Sequence, residues 1–190
     1  SSSDLAIPDI QLHFIPILMH GLIDPIPKQH GMSIHACQLR PQSRGSVLPG
    51  SADPFASPLV DFNFLDNEHD WKVIQRSYEI VRDIAQAKAW DGLMGEPSRP
   101  DKHLTDEGRI REFLRQVCET VYHPVGTCKM GSDEQAVVDA ELRVRGIEGL
   151  RVADASIMPT LIGGNTNAPC MMIGEKCSDL ILGRKLPAEA

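Results

Sequence analysis

Proline and glycine recur so often along this chain that few stretches are long enough to form an extended regular element. The 190 residues include 15 Gly and 14 Pro, and both residue types disfavour helix interiors. Apolar residues recur three or four positions apart, as on the buried face of a helix, in only three stretches. The sequence therefore predicts three helices, spanning residues 68–90, 105–122 and 169–182.

Short segments of alternating apolar and polar residues predict β-strands between the turns. Three of them precede the first predicted helix, at 10–14, 32–39 and 59–64, and three shorter ones follow the second, at 137–139, 142–144 and 150–152. A stretch rich in Pro, Ser and Gly, 41–58, predicts a long loop.

Charge and cysteine content exclude several classes of function. The formal net charge is -7, so we expect no nucleic-acid partner and no attraction to anionic membranes. The chain has no uninterrupted apolar run of about 18 residues, so no membrane-spanning helix is predicted. The five cysteines include no CxxC pair, which argues against a structural zinc site, and no metal is expected. Their odd number favours a reducing compartment, and hence a cytoplasmic location.

The stretch from Tyr122 to Gly131 places a histidine where it can be held in one orientation. His123 is expected at the end of the second predicted helix and is followed by Pro124 and Gly126. Proline fixes the backbone and glycine allows a tight turn, and a rigidly held imidazole is what a general base requires. On spacing alone, a histidine that caps the helix end is the stronger interpretation.

A second stretch, Gly163–Pro169, leads into the third predicted helix, which we expect to begin at Pro169. Glycines and small polar residues at a helix N-terminus leave free N–H groups and a positive dipole, which favour a phosphate or a partly anionic ring. A glycine-rich loop with an asparagine cap explains the same residues. The other histidines lack metal-ligand spacing. Arg40 and Arg44 could bind an anion, but a solvated loop is the stronger interpretation of both.

Taken in order, these stretches resemble a known family. They are similar to the C-terminal signature of the glucose–methanol–choline (GMC) flavoprotein oxidoreductases, and most similar to the choline dehydrogenase-like alcohol dehydrogenases. The matching segments are His123–Gly131, Val138–Asp139, Gly149–Pro159, Gly164–Pro169 and Ile173–Lys176, and upstream of them Leu39–Val47 and Asp53–Pro54. The resemblance thus spans nearly the whole chain.

The resemblance implies an α+β fold in which an antiparallel sheet is backed by helices. Residues 1–136 would form the substrate-binding domain, and residues 137–190 would return to complete an FAD-binding domain. It also implies oxidation of an alcohol to a carbonyl compound, with a hydride passing to flavin N5. The small-molecule alcohol and the FAD cofactor are therefore expected ligands.

The resemblance also implies roles for individual residues. His123 would take or stabilise the proton of the alcohol hydroxyl. Asn165 stands where the family has a second His or an Asn, and would hydrogen-bond the alcohol oxygen. Four further residues match positions near the flavin: Asp154, Ala155, Asn167 and Pro169.

The chain departs from the family in lacking the GxGxxG turn that binds the ADP half of FAD. We therefore expect it to be the C-terminal part of a longer enzyme. The N-terminal FAD domain of that enzyme would be its missing partner. The sequence leaves open whether the full-length enzyme associates with a membrane. Alone, it is expected to bind no FAD, to be inactive and to self-associate. The alternative is a non-catalytic binding or interaction module. The sequence leaves open which alcohol is oxidised, and whether the enzyme is an oxidase or a dehydrogenase.

Overall fold

The computed structural model describes residues 6–21, 24–101 and 103–184. The chain forms two compact units, which are described separately. Unit 1 comprises residues 1–45 and 62–121, and unit 2 comprises residues 46–61 and 122–190. The predicted α+β class, with antiparallel sheets and helices, is confirmed. The functional division at Ala136 stays a prediction, because it concerns which residues belong to a flavin domain.

Unit 1 is built from an antiparallel strand pair and two helices. Strand β1 (Ile10–Ile15) pairs with β2 (Ser33–Gln38), so that His13 lies opposite His35. Helix α1 (Glu68–Ala85) packs against β2. The side chain of Asn67 accepts a hydrogen bond from the backbone N–H of His69 and caps the helix.

The core of unit 1 joins α1 to helix α2 (Glu107–Val117). The helical spacing of both segments predicted an apolar stripe on each. Five side chains of the core are buried: Trp71, Tyr78, Ile110 and Leu114 from the two stripes, and Leu104, which precedes α2. The guanidinium carbon of Arg111 lies 4.4 Å from the centre of the Trp71 ring, within the range of a cation–π interaction.

Both helices of unit 1 are shorter than the sequence predicts. Helix α1 ends at Ala85 and is followed by a 3-10 turn, Lys88–Trp90. Helix α2 begins at Glu107 after an Asp106 cap, and it ends at Val117, five residues before Tyr122. The next residues include β-branched Thr120 and Val121, which have low helix propensity. The prediction that His123 lies at a helix end is therefore wrong.

Unit 2 contains the short hairpin of β3 (Ser46–Leu48) and β4 (Leu59–Asp61), a long irregular segment and helix α3 (Asn167–Leu182). The three strand-like pieces predicted after residue 136 form only isolated bridges, such as Val138 with Val144. Helix α3 begins two residues before Pro169, and it ends beside Gly183, whose φ of +64° suits a helix stop.

One hydrophobic core organises unit 2. Six of its side chains are buried: Val138, Leu142, Ile157, Met158, Ile173 and Cys177. The predicted apolar face of α3 is only partly right, because Met172 and Ile181 are 60% and 63% exposed. The core of unit 2 occupies a single side of the helix, so residues beyond that narrow stripe stay in contact with solvent.

Candidate functional site

His123 lies on an irregular loop of unit 2 and is half-buried. The residue before it, Tyr122, has a φ of +61°, and Gly126 has a φ of +91°. Pro124 lies between them; its ring fixes its own φ and disfavours the helical conformation at His123. The histidine is therefore carried on backbone that is constrained on both sides.

This loop is anchored on the segment that contains Asp154 and Ala155. The N–H of Cys128 donates to the carbonyl of Ser156 at 3.0 Å, and the N–H of Met130 donates to the carbonyl of Ile157 at 2.7 Å. A Cβ atom on Gly126 would lie 3.4 Å from the carbonyl oxygen of Met158, so the two backbones approach closely at this point. Glycine suits this position through both its φ and its small size.

Asp154 begins a 3-10 turn, Ala155–Ile157, and its carboxylate caps that turn. One carboxylate oxygen accepts hydrogen bonds from the N–H of Ser156 at 2.8 Å and from the Ser156 hydroxyl. Asp154 is exposed, whereas Ala155 packs against the core of unit 2. The partnership with Ser156 is missing from the sequence-based prediction, although the order Asp-x-Ser is a recognisable signal for such a cap.

Asn165 lies in the loop that leads into α3, and its side chain is exposed. The next residue, Thr166, is buried, and its carbonyl accepts the first helical hydrogen bond, from Cys170. Asn167 and Ala168 are the first residues of α3, so their N–H groups have no acceptor within the helix and point out of its N-terminal end. Pro169 has no N–H, so it fits the first turn without losing a hydrogen bond.

The segments that carry all six predicted site residues pack against the core of unit 2. Val125 anchors the histidine loop, Ala155 anchors the Asp154 turn, and Ile162 anchors the loop before α3. Helix α3 itself contributes Ile173 and Cys177 to that core. The structure therefore brings these segments together on one unit, although they are separated by up to 46 positions in sequence between His123 and Pro169.

An ion pair and a hydrogen bond stabilise the surface turns that follow the histidine loop. The ammonium of Lys129 lies 2.8 Å from a carboxylate oxygen of Asp133. The side-chain hydrogen bond from Lys129 lowers the pKa of Asp133 below its ordinary value. The guanidinium of Arg145 donates to the carbonyl of Gly131 at 2.7 Å. These contacts hold the turn without placing a charge in the core.

A buried carboxylate in unit 1 is a second feature that the sequence-based prediction misses. Asp70 is 1% exposed and accepts hydrogen bonds from the backbone N–H groups of Gln42 and Ser43 and from the side chains of Gln38 and Ser43. It thereby holds the loop next to Arg44. No helical periodicity signals it, because an acidic residue in a first turn is normally solvated.

Arg44 and Arg40 lie in that loop of unit 1, whereas the six predicted site residues belong to unit 2. One guanidinium nitrogen of Arg44 donates to the carbonyls of Pro41 and Ser43, both at 2.9 Å. The loop interpretation is thereby supported for Arg44, since both hydrogen bonds fasten its side chain to carbonyls of the loop.

The described part of the chain contains neither a metal-binding cluster nor a helix that could span a membrane. Within it, no group of three or more His, Cys, Asp and Glu side chains is arranged to bind a metal ion. None of the helices in the described ranges combines the length and the apolar character that crossing a membrane requires.

Comparison with known proteins identifies the family. Residues 41–174 match the family model described as GMC oxidoreductase. The chain is 44% identical over 185 residues to an oxygen-dependent choline dehydrogenase of Klebsiella pneumoniae, and 43% identical over 185 residues to one of Acinetobacter baumannii. Each alignment covers 97% of this chain but only 33% and 34% of the relative. The chain thus spans about a third of the length of these relatives.

Solved structures agree. A formate oxidase from Aspergillus oryzae, whose structure was determined to examine the effect of a mutation on FAD modification, superimposes with a TM-score of 0.85 at 30% identity, over 94% of this chain and 32% of its own. Pyridoxine 4-oxidase from "Mesorbium loti" superimposes with a TM-score of 0.78 at 29% identity, over 94% of this chain and 35% of its own. The chain belongs to the GMC oxidoreductase family and corresponds to the C-terminal region of its members.

Proposed function

We propose that this chain is the C-terminal part of an FAD-dependent enzyme that oxidises an alcohol to a carbonyl compound. The observation that carries the proposal is the convergence of the His123 loop, the Asp154 turn and the start of α3 on one core. Residues 1–136 would belong to the substrate-binding domain, and residues 137–190 would complete the FAD-binding domain. The remainder of that domain would be supplied by a longer protein, to which we refer as the full-length enzyme.

The start of α3 has the chemistry to receive one end of a flavin ring. The N–H groups of Asn167 and Ala168 and the positive end of the helix dipole favour an electron-rich group. A Cβ built on Gly164 meets no atom within 4 Å, so there is room beside this loop. Asp154, Ala155, Asn167 and Pro169 would hold the flavin from these two segments. The bound flavin would supply the acceptor, at N5, for the hydride that leaves the alcohol carbon.

His123 would accept the proton of the alcohol hydroxyl. Its loop is held through Val125 and Gly126, and a fixed orientation is the first requirement for a general base. Asn165 would donate a hydrogen bond to the alcohol oxygen from its exposed amide. An amide does not titrate in this range, so His123 alone would carry the proton. The dipole of α3 would stabilise the negative charge that accumulates as the reaction proceeds.

The substrate is proposed to be a small primary alcohol, with choline as the first compound to test. The relatives in Klebsiella and Acinetobacter are named choline dehydrogenases. A quaternary ammonium group is recognised by an aromatic or acidic cage, and only 5% of this chain is aromatic, so uncharged alcohols are tested beside choline. All five cysteines are free, which supports the proposed cytoplasmic location.

The test is anaerobic mixing of the purified full-length enzyme with each alcohol. We expect a flavin absorbance spectrum that bleaches on addition of the substrate, together with formation of the aldehyde. The control is the corresponding hydrocarbon or ether, which has no hydroxyl to oxidise. A full-length protein without flavin, or a flavin that no alcohol reduces, would refute the proposal.

A further inference from the structure

Tyr122, the residue before His123, has a backbone conformation that residues with a side chain rarely adopt. Its φ of +61° lies in the left-handed region, where the Cβ atom crowds the carbonyl oxygen. Glycine lacks that Cβ, and asparagine compensates with a short polar side chain, but tyrosine has neither advantage. Residues held in this way persist only where the surrounding structure demands it, and they cluster at functional sites.

The residues that follow Tyr122 are constrained one by one. Pro124 fixes its own φ and restricts His123, Val125 packs against the core of unit 2, and Gly126 takes a left-handed φ. The N–H of Cys128 then donates to the carbonyl of Ser156. On its C-terminal side, therefore, the histidine is fixed by packing and hydrogen bonds, and on its N-terminal side the adjoining constraint is the conformation of Tyr122.

Burial of the ring does not account for this conformation. Tyr122 is 65% exposed and does not belong to the hydrophobic core of unit 2. What its φ does determine is the direction of the peptide that leads into His123. A change from the left-handed to the extended region would turn that peptide, and with it the Cα–Cβ bond of the histidine.

We propose that the left-handed backbone of Tyr122 is a positioning device that aims the imidazole of His123. The proposal rests on the proposed function, in which His123 accepts the hydroxyl proton. In this proposal Tyr122 acts only through the orientation of His123, and it has no contact of its own with a reacting atom. The groups that would bind the flavin lie on other segments, so a change at Tyr122 affects the proton acceptor while leaving the flavin-binding groups in place.

The test is a series of substitutions in the full-length enzyme, graded by tolerance of the left-handed region. Tyr122→Gly and Tyr122→Asn accept it readily, Tyr122→Ala less so, and the β-branched Tyr122→Val least. We expect the first two to keep kcat within about threefold of wild type and Tyr122→Val to lose roughly tenfold or more, with Tyr122→Ala between them. KM and flavin content should change little across the series. Tyr122→Phe is the matched control, because it retains the ring and the Cβ.

A second readout does not depend on turnover. The NMR chemical shifts of the His123 imidazole in the flavin-loaded enzyme should match wild type in Tyr122→Gly and differ in Tyr122→Val and Tyr122→Ala. Equal losses of kcat in the glycine and valine variants would show that the ring matters and overturn the inference. So would wild-type kcat throughout the series, or a valine variant that loses only thermal stability. A wild-type enzyme that oxidises no alcohol would refute the proposed function itself.

Discussion

The carboxylate of Asp70 accepts two hydrogen bonds from Ser43, one from its backbone N–H at 2.7 Å and one from its hydroxyl at 2.6 Å. Asp70 lies in the first turn of α1 and is almost fully buried. This single side chain therefore fastens a loop that is rich in proline and serine to the helix, and buried groups of this kind stabilise a fold only while every partner is satisfied.

Replacing Asp70 by asparagine should destabilise the protein. In Asp70→Asn, an NH2 group replaces one of the two carboxylate oxygens. That group cannot accept a hydrogen bond, so some of the N–H and O–H groups that now bond to Asp70 would be left without an acceptor. We expect the free energy of unfolding to fall by about 3 kcal/mol, as measured by urea denaturation. Asp83→Asn, an exposed substitution on the same helix, is the control and should change it by less than about 0.5 kcal/mol. Equal effects would contradict the assigned role.

The same carboxylate should make stability depend on acid pH. Burial by itself raises the pKa of Asp70, but the hydrogen bonds donated by Ser43, Gln42 and Gln38 outweigh it, and the net pKa lies below its ordinary value. A carboxyl with a depressed pKa stabilises the fold above the unfolded-state pKa of about 3.9. That contribution is lost as the pH falls through the lower folded-state pKa.

We therefore expect the wild-type protein to lose stability below about pH 4 more steeply than Asp70→Asn does. Urea midpoints measured from neutral to acid pH provide the comparison. Two curves that stay parallel throughout this range would argue against a depressed pKa at Asp70.

His123→Ala should lower kcat for alcohol oxidation in the full-length enzyme. The expected loss is roughly 10²–10⁴-fold, the usual contribution of a positioned general base. Flavin content should stay nearly constant, because the proposed flavin contacts lie on other segments. His30→Ala, at an exposed histidine of unit 1, serves as the control. An unchanged rate in His123→Ala would remove this residue from the mechanism.

Asn165 offers a graded test of the alcohol-binding role. Asn165→Ala removes the proposed donor and should reduce turnover, while the fold is kept because the side chain is exposed on a loop. Asn165→His restores a donor and should be the more active of the two. Steady-state kinetics of both variants, with circular dichroism as a check on folding, gives the comparison. A histidine variant less active than the alanine variant would count against this assignment.

The isolated chain should self-associate and bind no FAD. Met172 and Ile181 of α3 are more than half exposed, and exposed apolar patches favour association. Sedimentation should give a mass above that of a monomer, and Met172→Lys combined with Ile181→Lys should lower it. The purified chain should show no flavin absorbance, since it contains no GxGxxG turn. A monodisperse, flavin-bound monomer would contradict both expectations and would also weigh against a purely non-catalytic binding module.

Local patterns in the sequence were sufficient to predict the three helices and the family. The spacing of Trp71, Tyr78, Ile110 and Leu114 predicted the core of unit 1, because helical periodicity is a property of neighbouring residues. Gly183 predicted the end of α3, since few residues other than glycine adopt its left-handed φ readily. The order of the segments around His123 and Asn165 indicated the GMC family without reference to any contact.

Tertiary structure decided the features that depend on residues far apart in the chain. The burial of Asp70 requires Gln38, Gln42 and Ser43, which lie about thirty positions away. The left-handed φ of Tyr122 is likewise absent from the sequence-based prediction, because local propensity disfavours this conformation for tyrosine. His123, Asp154 and Asn165 become parts of one unit only because Val125, Ala155 and Ile162 share a hydrophobic core, and burial of apolar surface depends on three-dimensional proximity and not on distance along the chain.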